Sequence, residues 1–442
     1  MTEDHKKVSE RDLKKVLILA YYFPPLGMGG TQRPAKFVKY LPEFNWTPFV
    51  ITVKDIAYYA KDLSLLNDVR DAQVFRTGSL DPQRLLSFFA SHNSNSPGHD
   101  KNWTSGSWQT FKKIVFSFFI PDTKIFWLPF AILKAIKVIN RENITCVFTT
   151  SPPHSLQLAG LLLKKIKGLP WVVDFRDGWS NGNFQGEPTA IHKWLNRFWQ
   201  RCVLAAADEV IGVSSPMFDD FKSRSSHISS KFHTIPNGFD PEDLPNIQPS
   251  FSNDKFTIVY CGTVSAISPM GSFLNGLSLL LSHRPDLRKG ILFKFIGIDL
   301  TGTVKSLAGQ LDLNDVIQYD GYLDHQKAFE GIVKADVLLY PVSNSASQDF
   351  VPGKTFEYLA SRNPILAIGP RVAGTEILEK HNSVESVSHE KIGAIEQAIF
   401  KCYSEFKNQS LNVRQNDISQ FERKNQTRML AEILDNLVSV AK

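Results

Sequence analysis

The stretch KVLILAYYFPPLGMGGTQR, residues 15–33, decides how the chain is read. Its apolar run, Val16 to Phe23, has the length and β-rich composition of a strand. The run breaks at Pro24 and Pro25, and Gly27, Gly29 and Gly30 then precede a predicted helix carrying Arg33 and Lys36. Glycines ahead of a helix let backbone amides at its N-terminus approach an anion closely. The spacing is not GxGxxG, and no acid closes the second strand to hold an adenosine ribose, so a dinucleotide site is weakly supported. A plain glycine turn is the alternative.

The same alternation continues outward. Strands are predicted at PFVITV, AQVFRTG, ITCVFTT, WVVDF, EVIGVS and FHTIP, separated by helical patterns such as LQLAGLLLKKIKG, whose terminal Lys and Gly fit a helix stop. From Asn237 to Lys255 the chain turns to Pro, Asn, Asp and Ser without periodicity and reads as a linker. Strands then return at TIVYCGTV, LFKFIGI, VIQYDGYL, ADVLLYPV and PILAIGP, and a helical pattern runs from about Ile418 to Val440. The expected fold class is α/β, with two Rossmann-like domains facing a cleft at the carboxyl ends of their strands. The expected bounds are an N-terminal domain at 1–240, a linker at 241–255, a C-terminal domain at 256–415 and a terminal helix at 416–442.

Composition excludes several classes. With 442 residues, 43% hydrophobic, 12% aromatic and 21% charged, the chain can bury enough apolar surface to offset its entropy, so a disordered scaffold is excluded. Cys146, Cys202, Cys261 and Cys402 form no CxxC pair and suggest neither a disulfide framework nor a zinc site, which predicts a cytoplasmic protein. The charged opening MTEDHKKVSERDLKK and the short run behind it predict neither an export signal nor a membrane span. Residues 1–245 hold 30 Lys and Arg against 23 Asp and Glu, a net +7, and the remainder is −1. Between Phe111 and Arg141, Lys112, Lys113, Lys124, Lys134, Lys137 and Arg141 face Asp122 alone and are interleaved with aromatics including Phe116, Phe126, Trp127 and Phe130. That mixture suits an anionic membrane surface, the alternative being buried aromatics with solvated lysines. The confined charge and the lack of any recognised motif argue against nucleic acid.

Candidate chemistry lies at strand ends. In SPPHS, Pro152 and Pro153 present His154, either to a reacting sugar or phosphate or as a structural or solvated imidazole; in WVVDFRDGWS, Asp174, Arg176 and Asp177 crowd a strand's carboxyl end, either as a structural Asp–Arg pair or as a ligand site. The strongest constellation is SQDFVPGKTFEYLASRNPILAIGP, residues 347–370. There Asp349 and Glu357 flank Pro352 and Gly353 at the start of a helix holding Lys354 and Thr355. A helix N-terminus beside an ammonium suits a diphosphate, and the Glu357 carboxylate can accept from both hydroxyls of a ribose, the alternative being a capped surface helix.

With GMGGTQR, SPPHS, DFRDGWS, IPNGFD and GKTFEYLASRNPILAIGP on one chain, the sequence resembles the family 4 glycosyltransferases of the GT-B fold over nearly its whole length. The resemblance implies sugar transfer from a nucleotide donor, UDP- or GDP-linked, to a glycan or lipid-linked acceptor, metal-independent and with retention. It also implies a C-terminal helix returning to the N-terminal domain, and no cofactor. Onto this sequence it places His154, Asp349 and Lys354 in catalysis, and Gly262, Thr263, Gly297, Tyr322, Leu323, Gly353, Lys354, Thr355 and Glu357 around the donor. Gly29, Gly30, Arg33, Asp174, Arg176 and Asp177 fall to an acceptor or phosphate loop. Two departures stand out. Asp349 occupies the first acid of the family's E-x7-E pair, and CGTVSAISPMGSF lacks the Arg and Lys that neutralise the diphosphate in many relatives, leaving Arg33 or Arg371 to assist Lys354. A nucleotide-sugar epimerase and a non-catalytic glycan-binding paralogue are the alternatives.

Overall fold

The computed structural model describes residues 14–27, 29–54, 56, 61–80, 120–179, 189–223, 231–245, 254–346, 348, 350–411 and 416–440. The chain divides into two compact units, one running to Pro236 and resuming at Gln426, the other spanning Asn237–Asn425.

In the first unit β1 (Lys14–Leu19), β2 (Trp46–Val53), β3 (Gln73–Thr77), β4 (Cys146–Ser151), β5 (Trp171–Phe175), β6 (Glu209–Gly212) and β7 (Phe232–Thr234) form a seven-stranded sheet in the order β3-β2-β1-β4-β5-β6-β7. Every pairing is parallel. Such a sheet is covered on both faces, which is why its strands read as unbroken apolar runs. In β1 the alternation divides the side chains: Leu17 and Leu19 enter one core, Val16 and Ile18 the other, all fully buried. The helices are α1 (Gly29–Tyr40), α2 (Leu128–Glu142), α3 (Ser155–Lys167), α4 (Ala190–Ala206) and α5 (Ser215–Ser223). Helices α2, α3 and α4 bury their apolar sides in the core shared with Leu17. At Gly160 of α3 a Cβ would meet the Trp171 ring at 2.4 Å, so glycine is what admits that indole.

The second unit contains β8 (Phe256–Val264), β9 (Ile291–Asp299), β10 (Ile317–Gly321), β11 (Val337–Pro341), β12 (Ile365–Ile368) and β13 (Val384–Val387), ordered β10-β9-β8-β11-β12-β13 and again parallel. Its helices are α6 (Met270–His283), α7 (Thr303–Gln310), α8 (His325–Val333), α9 (Lys354–Ser361), α10 (Ala373–His381) and α11 (Ile392–Lys407). In each sheet the order reverses beside the first strand, between β1 and β4 and between β8 and β11, the switch points at which ligands of open α/β sheets bind. Strand β13 was not predicted: its sequence, VESV, is half polar and it forms a sheet edge.

The last helix, α12 (Arg423–Val440), begins later than the Ile418 expected, after a single 3-10 turn at Ser419–Phe421. From Gln426 onward it belongs to the first unit, burying Leu430 and Leu434 against the core that holds Val16 and Ile18. Asp435 fixes its register, accepting from Lys14 Nζ and Trp46 Nε1, each at 2.8 Å. The two ends of the second unit pair with each other: Phe239 N donates to the Phe421 carbonyl at 3.0 Å, and Arg423 N to the Phe239 carbonyl at 2.8 Å. Of the linker expected at 241–255, residues 246–253 lie outside the described residues, and Pro241–Asp243 forms a 3-10 turn capped by Asp240.

Candidate active site

In the second unit the site begins with glycines. The carboxyl ends of β8 and β9 meet at Gly262 and Gly297, which are register partners with φ of 147° and 136°. A Cβ at Gly297 would sit 1.9 Å from the Gly262 carbonyl oxygen, so both the backbone angle and the close approach require glycine. Beside them lies Lys354, the first residue of α9, whose ammonium stands 4.2 Å from the Tyr260 ring centre and 5.5 Å from that of Tyr340. Both phenols are satisfied elsewhere, Tyr260 by the Thr263 carbonyl at 2.9 Å and Tyr340 by Thr355 Oγ1 at 2.8 Å. Tyr358 completes the floor, accepting from Cys261 N at 3.0 Å. Lys354 makes no ion pair among the described residues. Burial lowers its pKa to about 8, against the opposing pull of Cys261 and Glu357. A cation held on aromatic faces, with no ion pair among the described residues, is prepared for an anion.

Glu357 lies one turn along α9, its Oε1 3.6 Å from His325 Nδ1, and His325 Nε2 in turn lies 3.3 Å from Asp243 Oδ2. Sequence reading missed His325 and Asp243. The His325 ring thus stands between two carboxylates, hydrogen-bonded to Asp243 and beside Glu357. Of the other expected donor residues, Thr355 is fully buried and serves Tyr340, Gly353 and Tyr322 are exposed, and Leu323 packs on the core beneath α8. Asp349 lies outside the described residues. A depression of about 360 Å³ opens where β11, β12 and β13 end, lined in part by Asn344, Arg371, Thr375 and His389. Arg371 is half taken there, 2.9 Å from Glu379 Oε2 and 3.7 Å from Glu376 Oε1.

In the first unit the expected loop residues are tied into the fold. Arg33 is fully buried: its Nε and Nη2 donate to the two Asp174 oxygens at 3.1 and 2.8 Å, and its Nη1 to the Pro236 carbonyl at 2.8 Å. Thr150 Oγ1 adds a bond to Asp174 at 2.7 Å. The partner of Asp174 is thus Arg33, 141 residues away, rather than the neighbouring Arg176. Arg176 binds backbone, donating to the Ser151 and Pro152 carbonyls at 2.9 Å each and to the Gly30 carbonyl, which shapes the glycine loop. Asp177 is exposed and bears on Arg176 electrostatically, and Gly29 opens α1. His154 occupies the N-cap position of α3 without a side-chain capping bond and stacks on Trp179, with ring centres 5.2 Å apart. Its Nδ1 and the Trp179 Nε1 are buried without a hydrogen-bond partner among the described residues. Burial, then Arg176, lowers the His154 pKa to about 4, so the ring is neutral at pH 7 and Nδ1 can accept or donate according to tautomer.

The basic aromatic segment is only partly an exterior one. Residues 111–119 lie outside the described residues. Lys124 and Trp127 are core groups, Lys124 against the Tyr21 ring and Trp127 Nε1 donating to Thr77 Oγ1 at 2.7 Å, so neither can face a membrane. No helix among the described residues is long and apolar enough to cross a bilayer.

Residues 87–243 match the sequence profile of Glycosyltransferase Family 4. No curated protein matches the sequence. The fold is shared with solved structures: a glycosyltransferase from Rickettsia africae at 16% identity, covering 96% of this chain and 98% of that one with a TM-score of 0.61. Sucrose-phosphate synthase from Thermosynechococcus elongatus aligns at 14% identity over 97% and 100%, TM-score 0.63. The MnaA–UDP complex from S. aureus aligns at 13% over 96% and 98%, TM-score 0.53. The two Rossmann-like units are those of the GT-B fold.

Proposed function

From a chain that is glycosyltransferase family 4-like in sequence and GT-B in fold, we propose a transferase that moves a sugar from a UDP- or GDP-linked donor to a glycan or lipid-linked acceptor, in cell-surface glycan synthesis. It works in the cytoplasm, the donor bound by the second unit and the acceptor by the first. The observation that carries this reading is the ammonium of Lys354, held on the Tyr260 and Tyr340 rings at the β8–β11 switch point with Glu357 one helical turn away. In this reading Lys354 and the N-terminus of α9 take the diphosphate, and Glu357, beside His325, accepts from the ribose hydroxyls. His154 offers a neutral imidazole to a sugar hydroxyl.

Transfer proceeds with retention and without a metal ion. The bond from the anomeric carbon to the phosphate oxygen breaks, the bond to the acceptor oxygen forms on the same face, and the acceptor's proton passes to the departing phosphate. The protein's work is then positioning and stabilisation of the charge gathering on the leaving group. Lys354 carries most of the latter, because Arg33 is committed to Asp174 and Arg371 is half taken by Glu379 and Glu376. Removing one preorganised contact of this kind costs about 2.7–4 kcal/mol, so Lys354→Ala is expected to lower turnover by 10²–10³, on the order seen for such contacts. Glu357→Ala is expected to raise the donor KM. Nucleotide-sugar turnover is the readout, and wild-type kinetics in either variant defeats the assignment. Turnover of a nucleotide sugar with no acceptor present would point instead to an epimerase.

A further inference from the structure

We propose that the outer face of α2, α3 and α4 is a docking surface for an anionic lipid bilayer, centred on α4. The sequence of α4, AIHKWLNRFWQRCVLAA, contains no acidic residue. Asn196, Gln200, Val203 and Leu204 turn inward, while Ile191, Trp194 and Phe198 are 67%, 64% and 44% exposed. These three sit at positions i, i+3 and i+7, one stripe of a helix, and the Trp194 and Phe198 rings stack 5.9 Å apart. Lys193, Arg197 and Arg201, spaced four apart, are exposed along one flank of that stripe and form no ion pair among the described residues.

The neighbouring helices extend the same chemistry. Helix α3 packs between α2 and α4, presenting Leu162 and Ile166, and α2 presents Phe130 and Leu133. The three helices carry nine Lys and Arg and one acid, Glu142, and of the nine Lys164 is paired with Asp208 beyond them at 2.7 Å. Exposed aromatic and aliphatic side chains flanked by cations are the composition of a helix lying in a bilayer interface, where rings and chains enter the acyl boundary and the cations meet phosphate headgroups. A second copy of the chain is a poor occupant, since a self-complementary contact would set this cationic layer against itself. The aliphatic Ile191, Leu133, Leu162 and Ile166 favour acyl chains over the bases of a nucleic acid, which would use aromatic faces alone. This surface lies outside the expected Phe111–Arg141 segment except for α2, and it does not depend on the transfer chemistry.

The test is co-sedimentation of the full chain with vesicles of phosphatidylcholine alone or mixed equally with phosphatidylglycerol. Binding is expected to the mixed vesicles only and to weaken with salt. Trp194→Ala with Phe198→Ala should reduce it at least about 100-fold, at about tenfold or more for each buried ring lost. Lys193→Gln, Arg197→Gln and Arg201→Gln together should reduce it about 100-fold, at about fivefold per cation. Wild-type binding that ignores phosphatidylglycerol, no binding at all, or variants that bind like the wild type would each overturn the proposal. Thermal stabilisation by UDP and GDP, measured on the same samples, separates the two readings. Loss of vesicle binding in variants with an unchanged nucleotide shift supports the surface, and a wild type that shifts with nucleotide but ignores vesicles sinks the surface alone.

Discussion

Lys354 converts sequence chemistry into a pH dependence. Burial between Tyr260 and Tyr340 brings its pKa down to about 8, and the protonated form is the one that attracts a diphosphate. Nucleoside diphosphate affinity should therefore be full below pH 8 and fall as pH rises through it, by up to tenfold per unit for a contact that needs the proton. Lys354→Met should bind more weakly and with a flat profile between pH 7 and 9, a comparison that isothermal titration makes directly. A wild-type profile equally flat would remove Lys354 from the anion site. Lys354 and Glu357 were legible in the sequence because a turn signal and a helix start put them in one local segment. His325 was not, because its partner Asp243 is 82 residues away and only the fold brings them together. The pairing of Arg33 with Asp174 was hidden for the same reason: the two lie 141 residues apart and only the fold brings them together in the core.

At the scale of elements, the strands buried on both faces could be read from apolar runs, and β13 could not, because an edge strand of half-exposed VESV carries neither an unbroken run nor a clean alternation. The geometry of the β8–β9 ends was likewise invisible, since a glycine in sequence does not say whether its freedom is used. At Gly297 it is used twice, by its φ and by the Gly262 carbonyl 1.9 Å from a would-be Cβ. Gly297→Ala is expected to destabilise the second unit by about 3 kcal/mol, the upper part of the overpacking range, and to abolish nucleotide stabilisation. Gly309→Ala, in helix α7 with nothing within 4 Å, is the control and should be neutral or slightly stabilising. Equal melting temperatures for the two variants would show that the β8–β9 contact relaxes at no cost.

For the whole molecule, α12 is the element whose sequence position and structural membership differ. Leu434 is fully buried in the first unit although the second unit separates it from the rest of that core. Leu434→Ala should cost about 2–5 kcal/mol. The loss should fall on the first unit, so that scanning calorimetry separates into two transitions and the upper one still rises with added UDP or GDP. A single transition lowered as one would mean that the units unfold together.

The return of α12 also sets an order of events during synthesis. The second unit is one uninterrupted segment, Asn237–Asn425, and has all of its strands and its three-tyrosine floor before the last helix is made. The first unit begins earlier yet waits for Leu430 and Leu434 to close the core over Val16 and Ile18. Translation therefore completes the second unit first, and the unit that starts the chain is the last to finish folding.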